Sequence, residues 1–197
     1  MSNIFIISAP SGCGKTSLVK ELCNANSFLE QTVSFTTRDM RQGELDGKDY
    51  HFSTVDKFLK KIRLGHFIEQ QAVYNNHYGT TYESIEEIIN RGKDAILEID
   101  YKGMLSIKRE LPNAVSIYIL PPSIGELEKR LVKRGLDKKD VIRRRISEAS
   151  NELSFSKFSD FTIINNEFET ALSSLKALIL FIKITRNRYV QNLNMFF

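Results

Sequence analysis

The sequence has 197 residues, of which 42% are hydrophobic and 26% charged, and its formal net charge is +4. This length suffices for a sizeable core in one or two domains, and the composition is ordinary for a globular protein. The longest apolar run, residues 177–182, is too short to span a bilayer. Two cysteines, Cys13 and Cys23, do not suggest a disulfide framework. We therefore expect a cytoplasmic protein with no signal peptide and no membrane partner.

The first two predicted elements, a buried strand at residues 4–8 and a helix at 16–25, flank the loop Ser8–Ser17. Strand, glycine-containing loop, Lys–Thr and helix is the arrangement of a P-loop, although Ala9 stands where the general pattern has glycine. Backbone N–H groups of such a loop bind the phosphates of a nucleoside triphosphate. Lys15 would reach the β- and γ-phosphates, and the Thr16 hydroxyl would bind Mg²⁺. The predicted phosphate-binding residues are Ala9, Pro10, Ser11, Gly12, Cys13, Gly14, Lys15, Thr16 and Ser17.

The next part of the chain contains several short predicted strands. They lie at 32–37, 50–52, 67–74 and 77–81, with an amphipathic helix at 54–64. Capping-box spacing between Ser84 and Glu87 predicts the start of the following helix. Core strands at 95–100, 115–120 and 161–165 then alternate with helices; one runs from Ser123 to Gly135, the next begins at Asp137, and the last includes 172–182.

The alternation of strands and helices in the outer parts of the chain predicts an α/β fold with a parallel sheet flanked by helices. We expect this core to comprise residues 1–32, 84–124 and 151–197. Two inserts would sit on it, a mixed-sheet unit at 33–83 and a helical unit at 125–150. Such inserts suit phosphoryl transfer between two nucleotides, because each can close over one ligand and exclude water.

Basic residues are concentrated in one of these inserts. Residues 125–150 contain nine Lys or Arg residues and five Asp or Glu residues, which accounts for the entire net charge. The segment is either a nucleic-acid surface or a lid over polyphosphate. No aromatic side chain is interleaved with its basic residues, which favours the lid and predicts no nucleic-acid partner.

A second pair of cations, Arg38 and Arg41, lies on the polar loop 36–44. Arginine recognises phosphate with two parallel hydrogen bonds, so two arginines three residues apart could hold one dianion from two sides. By itself the pattern is equally compatible with a solvated loop that carries surface ion pairs.

The motifs taken together resemble the guanylate kinase family over nearly the whole chain, to about residue 185. They are residues 8–16, Thr37–Arg38, Arg41 with Gly43–Glu44, 47–50, 67–69, 78–80, 97–100 and 121–123. The resemblance implies a P-loop core with a GMP-binding mixed-β insert and a helical lid. It also implies transfer of the ATP γ-phosphate to GMP, with Mg²⁺, in purine nucleotide metabolism.

The same resemblance assigns the other site residues. It implies that Ser34, Arg38, Arg41, Tyr50 and Tyr78 surround the GMP phosphate and that Glu69, Thr80 and Asp100 surround the guanine; the family often has Ser at position 80. Arg134 and Arg145 are the implied catalytic lid arginines, while Arg130 and Asn165 would contact ATP. A carboxylate suits guanine, because the ring N–H and the exocyclic amine both donate, whereas adenine shows an acceptor beside a donor.

Two other functions remain open at this point. A guanylate-kinase-like interaction module without catalysis typically lacks the P-loop lysine, which is present here as Lys15. A P-loop kinase for a sugar phosphate should lack the residues implied to surround guanine, Glu69, Thr80 and Asp100. Cys13 is either a redox-sensitive thiol or a small filler in the loop. The tail 183–197 leaves the oligomeric state undecided.

Overall fold

The computed structural model describes residues 2–73, 75–134 and 139–194. The chain forms two compact units. We call the first the sheet unit, which comprises Ser2–Ser8 and Phe28–Ser116, and the second the loop unit, which comprises Ala9–Ser27 and the described residues from Ile117 onwards. Within the described part, none of the helices combines the length and apolarity that crossing a membrane would need.

A parallel sheet of three strands organises the sheet unit, in the order β2 (Leu29–Gln31), β7 (Asp94–Ile99) and β1 (Ile4–Ser8). Strands β1 and β7 are almost wholly buried, because both consist mainly of consecutive apolar residues, as is typical of parallel strands covered on two faces. The helices α3 (Tyr82–Asn90) and α4 (Tyr101–Glu110) pack on this sheet.

A second sheet of four strands follows the order β4 (His51–Phe52), β3 (Phe35–Thr36), β6 (Asn76–Thr81) and β5 (Phe67–Val73). Strands β3 and β4 are parallel, whereas β6 runs antiparallel to both β3 and β5. The register of β5 shifts between Phe67 and Glu69, which sets the Glu69 side chain opposite Thr80. Helix α2 (Val55–Arg63) links the two halves of this sheet in the chain.

The loop unit begins with α1 (Lys15–Asn24) and continues after β8 (Val115–Leu120) with α5 (Ile124–Arg134), α6 (Lys139–Leu153) and a short 3₁₀ helix (Ser154–Phe158). Strand β9 (Phe161–Ile164) pairs in parallel with β8, and the unit ends with α7 (Phe168–Asn194), which packs against α1. The Tyr118 hydroxyl donates to the Glu152 carbonyl at 2.9 Å and thereby ties the end of α6 to β8.

The predicted fold class, a parallel sheet with helices plus a mixed sheet, is confirmed. The strand predicted at 32–37 is wrong in its bounds, because the chain leaves one sheet and joins the other within it: Thr32 donates its N–H to Ile96 of β7, while Phe35 pairs with Gly79 of β6.

Strand β2 and the 3₁₀ helix were not predicted. The division into core, insert and lid stays a prediction. Tyr74, the predicted helix end Gly135, the predicted helix start Asp137 and residues 195–197 lie outside the described residues.

Helix α3 begins two residues earlier than its predicted capping box. Thr81 is the N-cap, and its hydroxyl accepts the Ser84 N–H at 3.2 Å. Ser84 lies inside the first turn, where its hydroxyl donates to the Thr81 carbonyl at 2.8 Å. Strand β6 continues to Thr81, so the helix starts as soon as the strand ends, and the capping box at Ser84 is not used.

We expect Thr81→Ala to lower the free energy of unfolding by about 1–2 kcal/mol, because it removes the hydroxyl that caps α3. Thr81→Ser, which keeps the hydroxyl, and Ser84→Ala, which removes a side chain that does not cap, are the controls and should each cost less. Urea unfolding of the three variants measures these differences. A larger loss for Ser84→Ala than for Thr81→Ala would contradict the assignment of the cap.

Candidate functional site

The loop between β1 and α1 has the backbone that phosphate binding needs. Gly12 and Gly14 lie in the left-handed region, at φ of 89° and 83°, which side chains other than glycine rarely adopt. Gly14 is the N-cap of α1, and no side chain caps the helix there. Gly14 has no side chain that could cap the helix, and the helix dipole favours an anion at this end.

Helix α5 lies against this loop at Gly12. A Cβ atom at Gly12 would come within 2.9 Å of Leu131 Cδ2 and 3.0 Å of Leu127 Cδ1, and both leucines are buried. Gly12 is thus required twice, once by its dihedral angle and once by the closeness of α5. The spacing of these leucines places them on one side of a helix, but their contact with the phosphate loop could not be inferred from it.

Asn165 holds the other side of the loop. Its side-chain Nδ2 donates to the Cys13 carbonyl at 2.8 Å, and its own N–H donates to the Leu120 carbonyl at 2.7 Å. A Cβ atom at Gly14 would lie 2.7 Å from the same Nδ2, so the side-chain amide occupies the space beside that glycine. Asn165 was predicted to contact ATP, and what the structure gives it is a buried bond to the loop backbone.

The Cys13 side chain is fully buried inside the loop. Burial raises the pKa of its thiol to about 12, despite the opposing influence of Arg130 and Lys15. Reactive cysteines have a depressed pKa and access to solvent, and Cys13 has neither. Of its two predicted roles, the small filler side chain is the one that fits this environment.

A chain of hydrogen bonds in the sheet unit joins three of the residues predicted to bind guanine and phosphate. The Thr80 hydroxyl donates to Glu69 Oε1 at 2.8 Å. Since that bond uses the only Thr80 hydroxyl hydrogen, the Ser34 hydroxyl is the donor in its 3.1 Å contact with Thr80 Oγ1. The chain therefore ends on the carboxylate, where the Thr80 hydroxyl binds Oε1 and the Thr80 backbone N–H also hydrogen-bonds to the carboxylate.

Glu69 is 6% exposed, which makes it the most deeply buried of the predicted site carboxylates. Burial raises its pKa to about 7; the Thr80 hydrogen bond lowers it and the nearby charge of Asp100 raises it. Asp100 itself is the N-cap of α4, where its Oδ1 accepts the Gly103 N–H at 2.8 Å. The two carboxylates are thus close enough to interact, as a shared base-binding pocket requires.

A second cluster gathers aromatic rings around Arg38. The guanidinium lies 5.5 Å from the centre of the Tyr50 ring, and Tyr50 meets Tyr78 edge to face with 6.0 Å between ring centres. Arg38 forms a two-point ion pair with Glu44, at 2.8 and 3.0 Å, which raises the pKa of Arg38 and lowers that of Glu44. Burial raises the pKa of the Tyr50 phenol.

Arg41 stands apart from this cluster, with an exposed side chain, although its backbone N–H donates to Glu44 Oε2 at 2.8 Å. Glu44 therefore organises the loop that carries both arginines. It belonged to the quoted motif but was not predicted as a site residue; its carboxylate three positions after Arg41 was the available signal.

The three arginines predicted for the lid lie on α5 and α6 of the loop unit. Arg130 donates from Nη2 to the Asn166 carbonyl at 3.1 Å. Arg145 is on α6 and half-buried. Arg134 is the last residue of α5, and its side chain lies outside the described part of the structure.

Comparison with known proteins gives a consistent result. A family model described as guanylate kinase matches residues 1–182. A guanylate kinase of Hydrogenovibrio crunogenus is 47% identical over 178 residues, which cover 90% of this chain and 87% of that protein. One from Psychrobacter arcticus is 46% identical over 189 residues, covering 96% and 91%.

Among solved structures, a guanylate kinase from Anaplasma phagocytophilum superimposes with a TM-score of 0.74 and 29% identity, covering 90% of this chain and 84% of that one. The match to the family model includes the phosphate loop, Glu69 with its partner Thr80, and the Arg38 cluster. The chain belongs to the guanylate kinase family.

Proposed function

We propose that the protein transfers the γ-phosphate of ATP to GMP, giving ADP and GDP. The observation that carries the choice of acceptor is the buried Glu69 carboxylate, which receives the Thr80 hydroxyl on one oxygen. Guanine offers two adjacent donors, its ring N–H and its exocyclic amine, to such a carboxylate. Adenine offers an acceptor beside a donor at the same edge, and the mismatch would leave buried polar groups unpaired.

The remaining GMP contacts follow from the two clusters of the sheet unit. Thr80 and Asp100 would support the base beside Glu69, and Ser34, predicted at the GMP phosphate, is linked to them through its hydroxyl bond with Thr80. Arg38, Tyr50 and Tyr78 would bind the GMP phosphate, with Glu44 keeping the guanidinium oriented. Arg41, exposed in the structure, would turn its side chain to the phosphate when GMP binds. Guanidinium N–H groups and phenol O–H groups are donors that phosphate oxygens accept.

The phosphate loop would bind ATP through the N–H groups of residues 9–17, with Lys15 on the β- and γ-phosphates. Asn165 contributes by holding the loop backbone at Cys13, and Arg130 would lie toward the ATP side. Arg134 and Arg145 would stabilise the charge that moves onto the transferring phosphoryl oxygens, an effect worth about 10³–10⁵ in rate in comparable enzymes. The attacking GMP oxygen is already ionised, so no side chain has to act as a strong base.

Mg²⁺ fits the first turn of α1. Thr16 is the second residue of that helix, two positions after Gly14, so a metal bound to its hydroxyl could share the oxygens of phosphates held by the loop. Among the described residues, no three His, Cys, Asp or Glu side chains group to hold a metal, and a site completed by ATP oxygens and water would not need them. The metal would neutralise charge on the β- and γ-phosphates.

Lys15→Met should lower kcat for ADP formation from ATP and GMP by at least about 100-fold, because it removes a cation from the transferred group. The GMP dissociation constant should stay within about twofold, since Lys15 is not in the GMP pocket. A coupled ADP-release assay and calorimetric GMP titration make these measurements. Near-normal turnover would refute the role of Lys15, and a lack of activity in the unmodified protein toward GMP, with activity toward AMP, UMP or ribose phosphates, would refute the proposed function.

Glu69→Gln should raise KM for GMP by about 10-fold or more while KM for ATP changes less than about twofold. The amide presents an N–H₂ group where the carboxylate accepts, so one guanine donor loses its acceptor. Steady-state kinetics with each substrate varied in turn decides the point. Equal increases in both constants would remove Glu69 from the base pocket.

The pKa of Glu69, about 7 in the folded protein against an ordinary 4.5, predicts a pH dependence of GMP binding. Guanine needs the ionised carboxylate, so affinity should rise up to about 10-fold between pH 6 and pH 8 as Glu69 loses its proton. The GMP phosphate also titrates near pH 6, and Glu69→Gln, which retains only that part, is the control. Identical pH profiles for the two proteins would contradict the prediction.

The same pKa predicts an effect on stability in the absence of GMP. Between about pH 4.5 and 7 the folded protein binds more protons at Glu69 than the unfolded chain does, so the free energy of unfolding falls as pH rises through this window. Glu69→Gln removes this contribution, and its stability advantage over the unmodified protein should be larger at pH 8 than at pH 5. Urea unfolding at the two pH values measures the difference.

A further inference from the structure

Gly103 lies in α4, between the two carboxylates of the base pocket. Its N–H donates to Asp100 Oδ1 at 2.8 Å. A Cβ atom built on it would come within 3.1 Å of Glu69 Oε2, the oxygen to which the Thr80 hydroxyl does not donate. One buried residue therefore contacts Asp100 through its backbone and leaves room for Glu69 through the absence of a side chain.

The backbone conformation does not explain why this residue is glycine. Gly103 is not among the residues of positive φ and lies in the first half of a regular helix. Glycine in a helix interior costs about 1 kcal/mol relative to alanine. The reason for glycine at this position must therefore lie in the space around it, and that space is limited by Glu69 and by Ile99, whose Cδ1 would be 3.2 Å from the added Cβ.

Glu69 has little freedom to move away from a new methyl group. Thr80 holds Oε1 at 2.8 Å on the other side, and the side chain is 6% exposed. A contact of 3.1 Å is closer than two such atoms normally approach, so a Cβ at position 103 would displace the carboxylate by a few tenths of an ångström or break its bond with Thr80. The oxygen affected first is Oε2, to which the Thr80 hydroxyl does not donate.

We propose that Gly103 is a specificity-determining positioning residue, whose missing side chain keeps Glu69 Oε2 where it accepts the guanine donors. This inference rests on the proposed function, because it concerns the recognition of GMP. It goes further because it assigns a role to a glycine, which has no side chain with which to contact the nucleotide.

The test is Gly103→Ala, with both KM values and kcat measured. We expect KM for GMP to rise about 5- to 100-fold, as when a buried donor loses its acceptor, while KM for ATP changes less than about twofold. Gly125→Ala is the matched control, because it also replaces a helical glycine but its Cβ would meet nothing nearer than Ser123 Oγ at 3.9 Å. It should leave both constants within about twofold.

Two further variants separate Glu69 from Ile99 as the cause. Ile99→Val removes Cδ1, which would lie 3.2 Å from the new methyl group, and keeps Cβ at 3.3 Å, so if packing on Cδ1 were responsible, Ile99→Val/Gly103→Ala would recover KM for GMP. We expect it not to recover. Glu69→Asp withdraws the carboxylate from position 103. In that background, Gly103→Ala should change KM for GMP by less than about twofold, and it should change the free energy of unfolding by less than about 0.5 kcal/mol.

The outcomes are distinguishable from those of the proposed function. If the unmodified protein phosphorylates GMP and Gly103→Ala has unchanged KM for GMP, the inference is overturned and the function stands. If Gly103→Ala folds too poorly for kinetics, its loss of unfolding free energy relative to the unmodified protein is compared with the loss in the Glu69→Asp background. A loss that persists there assigns the effect to Ile99 and overturns the inference; a loss that disappears supports it.

Discussion

The constraint on which the proposed acceptor site depends is the burial of Glu69, an ionisable group that would have to be charged to accept the guanine donors. Taking a carboxylate out of water raises its pKa, here to about 7, and the side-chain and backbone hydrogen bonds from Thr80 offset only part of that cost. In the proposed function, a ligand with two adjacent donors would restore hydrogen bonds that burial takes from the carboxylate, and this would give the site its preference for guanine. Ser34, Thr80 and Asp100 are arranged around that requirement.

The triphosphate loop depends on backbone shape rather than on charge. Two left-handed glycines turn the chain, the buried Asn165 amide takes the Cys13 carbonyl, and leucines of α5 close on Gly12. The loop is thus formed before any ligand binds, which lowers the conformational entropy lost on binding. In the phosphate loop and around Glu69 alike, the residues that determine the geometry are neighbours of the residues that would contact the ligand.

Local spacing in the sequence predicted the phosphate loop, since strand, glycines, Lys15 and helix are contiguous. The GMP residues could be named only through family resemblance, because they are scattered between residues 34 and 100. The Asn165 bond to Cys13 spans 152 positions, and the approach of Gly103 to Glu69 spans two elements of different type. No periodicity encodes such contacts. The cap of α3 was misplaced because Thr81 and Ser84 both suit an N-cap, and only the length of β6 decides between them.

The environment of Cys13 has a practical consequence for spectroscopy. Maleimide probes react with the thiolate, and a thiol whose pKa is about 12 is ionised to only about one part in 10⁵ at pH 7. Because Cys13 is also buried in the loop, it would stay unlabelled and need not be substituted. Cys23 is the other cysteine in the sequence, so one substitution gives a background into which a fluorophore or spin label can be introduced at a chosen surface position.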